Sequence, residues 1–139
     1  MASTLVDAGP MVAVFDQHEP HSAHYHALFQ RAAAERWRLS TTWPCVVEAS
    51  HLLAPARRYV LLRWVAQGGV TVFPFQQESL SDFVDLMKRY TEQPRTEMDL
   101  ADASLVCLAM DTGVTRIMTT DHRDFSRYRL PDGRAFEIL

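Results

Sequence analysis

Two hydrophobic rhythms alternate along the chain. Residues 4–7 form a short apolar run that breaks at Ala8-Gly9-Pro10, where proline can open a helix. Residues 11–15 read as a short apolar helix and residues 16–20 as a polar break. Residues 21–36 place Tyr25, Leu28, Phe29 and Ala32 at helical spacing on one face. Residues 37–40 are a second short strand. Thr42 and Pro44 mark a helix start, and that helix runs through Val46, Val47, Glu48 and Leu52. Residues 57–66 continue as a helix closed by Gly68-Gly69. Residues 70–73 are β-branched and aromatic, as a strand requires. Residues 80–90 are an amphipathic helix and residues 91–97 a loop. Residues 99–110 are an Ala- and Leu-rich helix closed by Gly113. Residues 116–119 form a strand ending at Thr120-Asp121, and residues 136–139 a last strand.

Strands that alternate with helices in this way indicate an α/β fold around a mostly parallel sheet. The length, 139 residues, suits one domain spanning 1–139, and a chain of this size buries enough surface to fold without staples. No repeat or low-complexity stretch interrupts it. No apolar run approaches the roughly 20 residues of a membrane span, and the first residues lack the basic and apolar regions of a signal peptide. A soluble, cytoplasmic protein with no membrane association is expected. Cys45 and Cys107 are too few and too far apart for a disulfide framework or a metal knuckle.

Charge refines this picture. Seventeen acids face fourteen bases, giving a formal net charge of −3, and every base but Lys88 is Arg. An overall basic nucleic-acid binder is thereby disfavoured. A nuclease whose carboxylates are neutralised by a divalent metal is not, because Arg contacts phosphate bidentately.

The acids fall at informative places. Asp7 and Asp121 follow two strands at their carboxyl ends, where open α/β sheets bind ligands. Asp99 and Asp102 lie three apart on one helix face, among Ala101, Ala103, Leu105 and Val106. Glu48 sits among Val46, Val47, Ala49 and Leu52, so it too is expected to point inward. Buried carboxylates are costly unless paired. Two unit charges about 4 Å apart repel by roughly 4 kcal/mol at an effective dielectric near 20. The Glu48 helix has no base before Arg57 and the Asp99 helix none before Arg116. A hard divalent cation, Mg2+ or Mn2+ rather than Zn2+, is the natural partner of an all-oxygen set.

Four segments then carry a family resemblance in order: Leu5-Val6-Asp7-Ala8-Gly9-Pro10; Thr42-Trp43-Pro44 leading to Glu48; Met98-Asp99-Leu100-Ala101-Asp102-Ala103; and Thr119-Thr120-Asp121-His122-Arg123-Asp124-Phe125. Together they resemble a PIN domain, most of all the VapC-type toxins of toxin–antitoxin pairs. The resemblance implies an α/β/α sandwich and a Mg2+- or Mn2+-dependent endoribonuclease. It matches Asp7, Glu48 and Asp102 to the three core acids, Asp121 to the fourth, and Asp99 and Asp124 to accessory acidic positions, with Thr119 as a neighbouring hydroxyl. Asp7, Asp102 and Asp121 would hold metal, and Glu48 would position water or a second metal. Implied partners are an RNA substrate, a cognate antitoxin and a second copy in a homodimer.

Blander readings apply elsewhere. His18, His21, His24 and His26 lack a tetrahedral zinc spacing and read as solvated loop and helix-start residues, and His122 as a turn residue. Asp121 to Asp124 alone reads as a solvated turn. Arg57, Arg58 and Arg63 suit RNA, an acidic partner or solvent equally. Trp37, Trp43, Trp64 and Phe73 read as core or interface. The alternative to a nuclease is an inert PIN-like module binding RNA or protein without metal. A receiver-like hydrolase ranks last, for lack of a phosphate-cradling glycine loop.

Overall fold

The computed structural model describes residues 2–91 and 96–139. Five strands form one parallel sheet in the order β3-β2-β1-β4-β5: β1 (Ser3–Val6), β2 (Arg38–Thr42), β3 (Thr71–Phe73), β4 (Arg116–Met118) and β5 (Glu137–Ile138). The helices are α1 (Ala8–Phe15), α2 (Ser22–Ala34), α3 (Trp43–Leu52), α4 (Pro55–Ala66), α5 (Leu80–Tyr90), α6 (Leu100–Thr112) and the short α7 (His122–Phe125). Helices cover both faces, giving the expected α/β/α sandwich. A parallel sheet buried on both faces needs continuously apolar strands, and Leu5, Val6, Ile117 and Met118 are all fully buried.

The central strand decides where a ligand can sit. From β1 the chain winds outward through β2 and β3 on one side, and later through β4 and β5 on the other. The order therefore reverses between β1 and β4, which leaves a crevice at their carboxyl ends. Val6 pairs with Met118, and the Asp7 N–H continues the ladder to the Met118 carbonyl at 3.0 Å. The crevice thus opens beside Asp7 and just before Thr119.

Several boundaries differ from the pattern. β1 ends at Val6, and Asp7 caps a helix that begins at Ala8, three residues before the apolar run at Met11. Strand β2 runs on to Thr42, which is also the N-cap residue of α3. The segment after Asp121 is not a plain solvated turn: it closes one helical turn around Phe125, which is fully buried against Tyr128 and Phe136. The amphipathic helix α5 occupies the predicted span and buries Phe83 and Leu86. The predicted 91–97 loop lies partly outside the described residues. No helix among the described residues is long and apolar enough to cross a membrane.

Helix α6 is the spine of the site. Asp99 caps it by accepting the Asp102 N–H at 2.8 Å, and Gly113, at φ 75°, ends it in the left-handed conformation glycine favours. Ala101, Ala103, Leu105, Val106 and Ala109 are buried around nearly its whole circumference, so the small side chains admit close packing while fixing the rotation that aims Asp102.

Candidate metal centre

One local device positions the acids. Asp7, Asp99 and Asp121 are the N-cap residues of α1, α6 and α7. Each carboxylate spends one oxygen on a helix N–H: Asp7 Oδ1 on Ala8 at 2.7 Å, Asp99 Oδ1 on Asp102 at 2.8 Å, Asp121 Oδ1 on Asp124 at 3.2 Å. Such caps satisfy orphan donors and favour Asp, and the helix dipole offsets part of the charge. Asp102 and Asp124 each stand three residues after a cap, so α6 and α7 share an Asp-x-x-Asp start.

These starts converge. Asp102, Asp121 and Asp124 each offer a carboxylate oxygen, and the three oxygens lie within 4.8 Å of one another. Unit charges at that spacing repel on the order of 3 kcal/mol at an effective dielectric near 20. Asp7 lies beside this trio, 7% exposed. Its Oδ2 accepts the Thr119 hydroxyl at 2.8 Å, and the Cys45 thiol lies 3.8 Å from Oδ1. The same Thr119 oxygen accepts the Asp121 N–H at 3.0 Å. One hydroxyl therefore ties the acid after β1 to the acid after β4.

The electrostatics follow from crowding. Burial pushes the Asp7 carboxyl up, against the opposing pull of Thr119 and Ala8. Asp102 is raised to about 8, first by burial and then by the charges of Asp99 and Asp7. Asp121 is raised by burial and by Asp124. Glu48 rises to about 7 through desolvation and the charges of Asp7 and Asp99. Perturbation of this kind clusters at functional sites. The one base paired with the trio among the described residues is Arg127, whose Nη2 meets Asp124 Oδ1 at 3.1 Å.

The predicted residues are thus distributed unequally. Asp102, Asp121 and Asp124 meet, although Asp124 had been matched only to an accessory position. Asp7 abuts them. Asp99 is exposed and holds the start of α6, while its charge is felt by Asp7, Glu48 and Asp102. Glu48 departs from expectation: its side chain is exposed. Helix α3 buries Cys45, Val46 and Ala49 and turns Trp43, Val47 and Leu52 outward, so Glu48 stands at the rim rather than in the core. The four early histidines are exposed on the loop before α2 and on α2 itself.

By sequence, no protein-family profile and no curated protein matches the chain. By structure, it is similar to VapC20 of Mycobacterium tuberculosis, a sarcin-ricin-loop-cleaving toxin, with a TM-score of 0.68 and 13% identity over 82% of this chain and 86% of that one. VapBC2 from Rickettsia felis, bound to a DNA fragment from their promoter, gives 0.66 at 11% identity, over 99% of this chain and 98% of that one. FitAcB from Neisseria gonorrhoeae gives 0.55 at 17% identity, over 88% and 90%. This is the VapC-type PIN fold.

Within that PIN fold, sequence reasoning missed two groups at the site. Tyr128 is fully buried and donates its hydroxyl to Asp102 Oδ2 at 2.8 Å. It is wedged edge-on between Tyr90 and Phe125, with the Arg127 guanidinium over its ring. Ser104 and Thr42 share a 2.7 Å hydrogen bond, and the Thr42 hydroxyl also reaches Cys45 at 3.3 Å. Nothing in the pattern marks Tyr128, because it lies past the end of α7 in irregular chain. Ser104 carried a usable signal, a hydroxyl on the same buried helix as Asp102.

The donor set can be tested against a divalent cation directly. It contains only carboxylate oxygens, three of them mutually close and raised in pKa or touching a raised neighbour, with one Arg as counter-charge. That is the chemistry of a hard cation such as Mg2+ or Mn2+, and the residues fit it.

Proposed function

We propose that this chain is a Mg2+- or Mn2+-dependent endoribonuclease and the toxin of a toxin–antitoxin pair. The observation that carries this reading is the gathering of Asp102, Asp121 and Asp124 within 4.8 Å beside Asp7 at the β1/β4 crevice. No gain in stability explains such a cluster. Its likeness in fold to VapC20 and VapBC2 supports the choice of RNA and of an antitoxin partner.

In this reading Asp102, Asp121, Asp124 and Asp7 hold the cation. When bound, it supplies charge for the scissile phosphate and a more acidic water. The protein's own groups do the rest. Thr119 fixes the Asp7 carboxylate through Oδ2 and leaves Oδ1 toward the Ala8 N–H. Tyr128 pins Asp102 Oδ2, leaving the other oxygen free. Glu48, exposed at the rim, orients the attacking water at its carboxylate and takes its proton. Arg127 holds Asp124 from outside the trio. An antitoxin segment carrying Arg can compete for the same carboxylates by bidentate pairing.

The test is cleavage of a structured RNA by the purified chain with Mn2+ or Mg2+, with chelator, and after Asp7→Asn. The reading expects cleavage only with metal, and a loss of at least about 100-fold in the variant while its circular dichroism is unchanged. Cleavage that persists in chelator overturns the metal-dependent reading. Absence of cleavage together with metal-independent RNA binding supports the inert module instead.

A further inference from the structure

Two surfaces outside the acidic crevice are unexplained by nuclease chemistry, and they complement each other. The first lies on α3 and α4. Trp43, Val47, Leu52, Tyr59, Val60 and Leu62 are each 41–63% exposed on these adjacent helices. Helix α4 buries only Leu61. A surface helix normally sets polar residues against water, and a run of exposed apolar side chains on neighbouring helices marks an interface. This face is also basic. Arg57 and Arg63 are exposed and take part in no ion pair among the described residues, whereas Arg58 is occupied with the Ser50 and Leu53 carbonyls.

The second surface is a cleft of about 380 Å3 at the carboxyl end of β3, between α5 and α6. Its floor is apolar, with Phe75 packed edge-on against Phe83 and Met110 open to solvent. Three exposed carboxylates, Asp82, Asp85 and Asp111, line it, against the single base Arg89. None of the three acids is in an ion pair among the described residues. Their field reaches into the cleft: Asp111 and Asp82 add to the burial that raises the Cys107 thiol to about 11. Such a lining repels phosphate and attracts an apolar segment bearing bases.

We propose that α4 of one copy seats in the α5/α6 cleft of a second copy, with Tyr59 and Leu62 on its apolar floor and Arg57 and Arg63 facing Asp82, Asp85 and Asp111. Two-fold symmetry repeats the contact, because each copy carries both surfaces. The pairing specifies which faces make the homodimer that the family resemblance implies. It is independent of the nuclease chemistry. Thr42, which lines the cleft, is also the N-cap of α3, so the contact lies next to the helix that carries Glu48.

The experiment is a charge swap read by sedimentation at low and high salt, without RNA or metal. One variant carries Arg57→Glu and Arg63→Glu, the other Asp82→Arg and Asp111→Arg. All four positions are exposed, and circular dichroism checks that both variants fold. The wild-type chain is expected to be a dimer at micromolar concentration, weakening with salt. Each variant alone should dissociate at least about tenfold more readily, since like charges then face each other at both contacts. Mixing the two variants should restore a dimer, because both contacts again pair opposite charges. A monomeric wild-type chain, variants as dimeric as wild type, or a mixture that stays monomeric each overturns the pairing. None of these outcomes bears on whether the carboxylates cleave RNA.

Discussion

Replacing Asp102 by Asn should stabilise the metal-free protein while abolishing its activity. Asp102 is 7% exposed and its carboxyl is raised from 3.8 to about 8. For an acid raised in this way, the folded state holds a proton that the unfolded chain has lost between those two values. Stability therefore falls as pH rises from about 4 to about 8, by up to roughly 1.4 kcal/mol per pH unit. The full interval would give about 5 kcal/mol at pH 8. Neighbouring carboxylates ionise over the same range and solvent enters the crevice, which brings the net effect to about 2–3 kcal/mol. Asn keeps the shape and still accepts the Tyr128 hydroxyl. In a domain of this size that gain corresponds to roughly 7–10 °C in Tm. Thermal denaturation in chelator at pH 8 and pH 4.5 reads it directly. The Asn variant should melt higher at pH 8, and the difference should shrink to within about 1 kcal/mol at pH 4.5. Adding Mg2+ should raise the wild-type midpoint at pH 8 and leave the variant unmoved. An Asn variant that melts lower at pH 8, or a difference that ignores pH, refutes the crowded-carboxylate argument.

Other consequences follow from single contacts. Tyr128→Phe removes the hydroxyl on Asp102 Oδ2 and keeps the buried ring, so Mn2+ affinity measured by calorimetry should fall about tenfold with the fold intact. Thr119→Val frees Asp7 Oδ2 and strands the Asp121 N–H, and urea unfolding should show a loss of about 1–3 kcal/mol. At Gly9 a Cβ would run into the Thr120 side chain; Gly9→Ala should cost about 1–3 kcal/mol through overpacking and push α1 away from the loop after β4, lowering cleavage as well as Tm.

Much of this arrangement is written in the order of the chain. The breaks at Ala8-Gly9-Pro10 and after Thr119 place Asp7 and Asp121 at strand ends, and parallel-sheet topology then brings them together. Helix α5 is readable because its burial has one face, Phe83 and Leu86 inward. Helices α3 and α4 defeat the same method. Their apolar residues point both ways, so composition around Glu48 suggests burial where the side chain is exposed. Sequence periodicity reports that a face is apolar, and it cannot tell a face covered by the core from one left for another molecule. The Asp121 to Asp124 segment is too short for periodicity to reveal α7, whose formation depends on burying Phe125 against residues far along the chain. Tyr128 is legible only in three dimensions, since its partner Asp102 lies on another element.

The central claim is that these carboxylates share a cation. It is tested most directly by anomalous diffraction from crystals of the chain soaked in Mn2+. A peak bounded by Asp102, Asp121 and Asp124, beside Asp7, and lost in Asp102→Asn, is the predicted result. Crystals in which Mn2+ binds elsewhere, with Asp102, Asp121 and Asp124 unliganded, would contradict it.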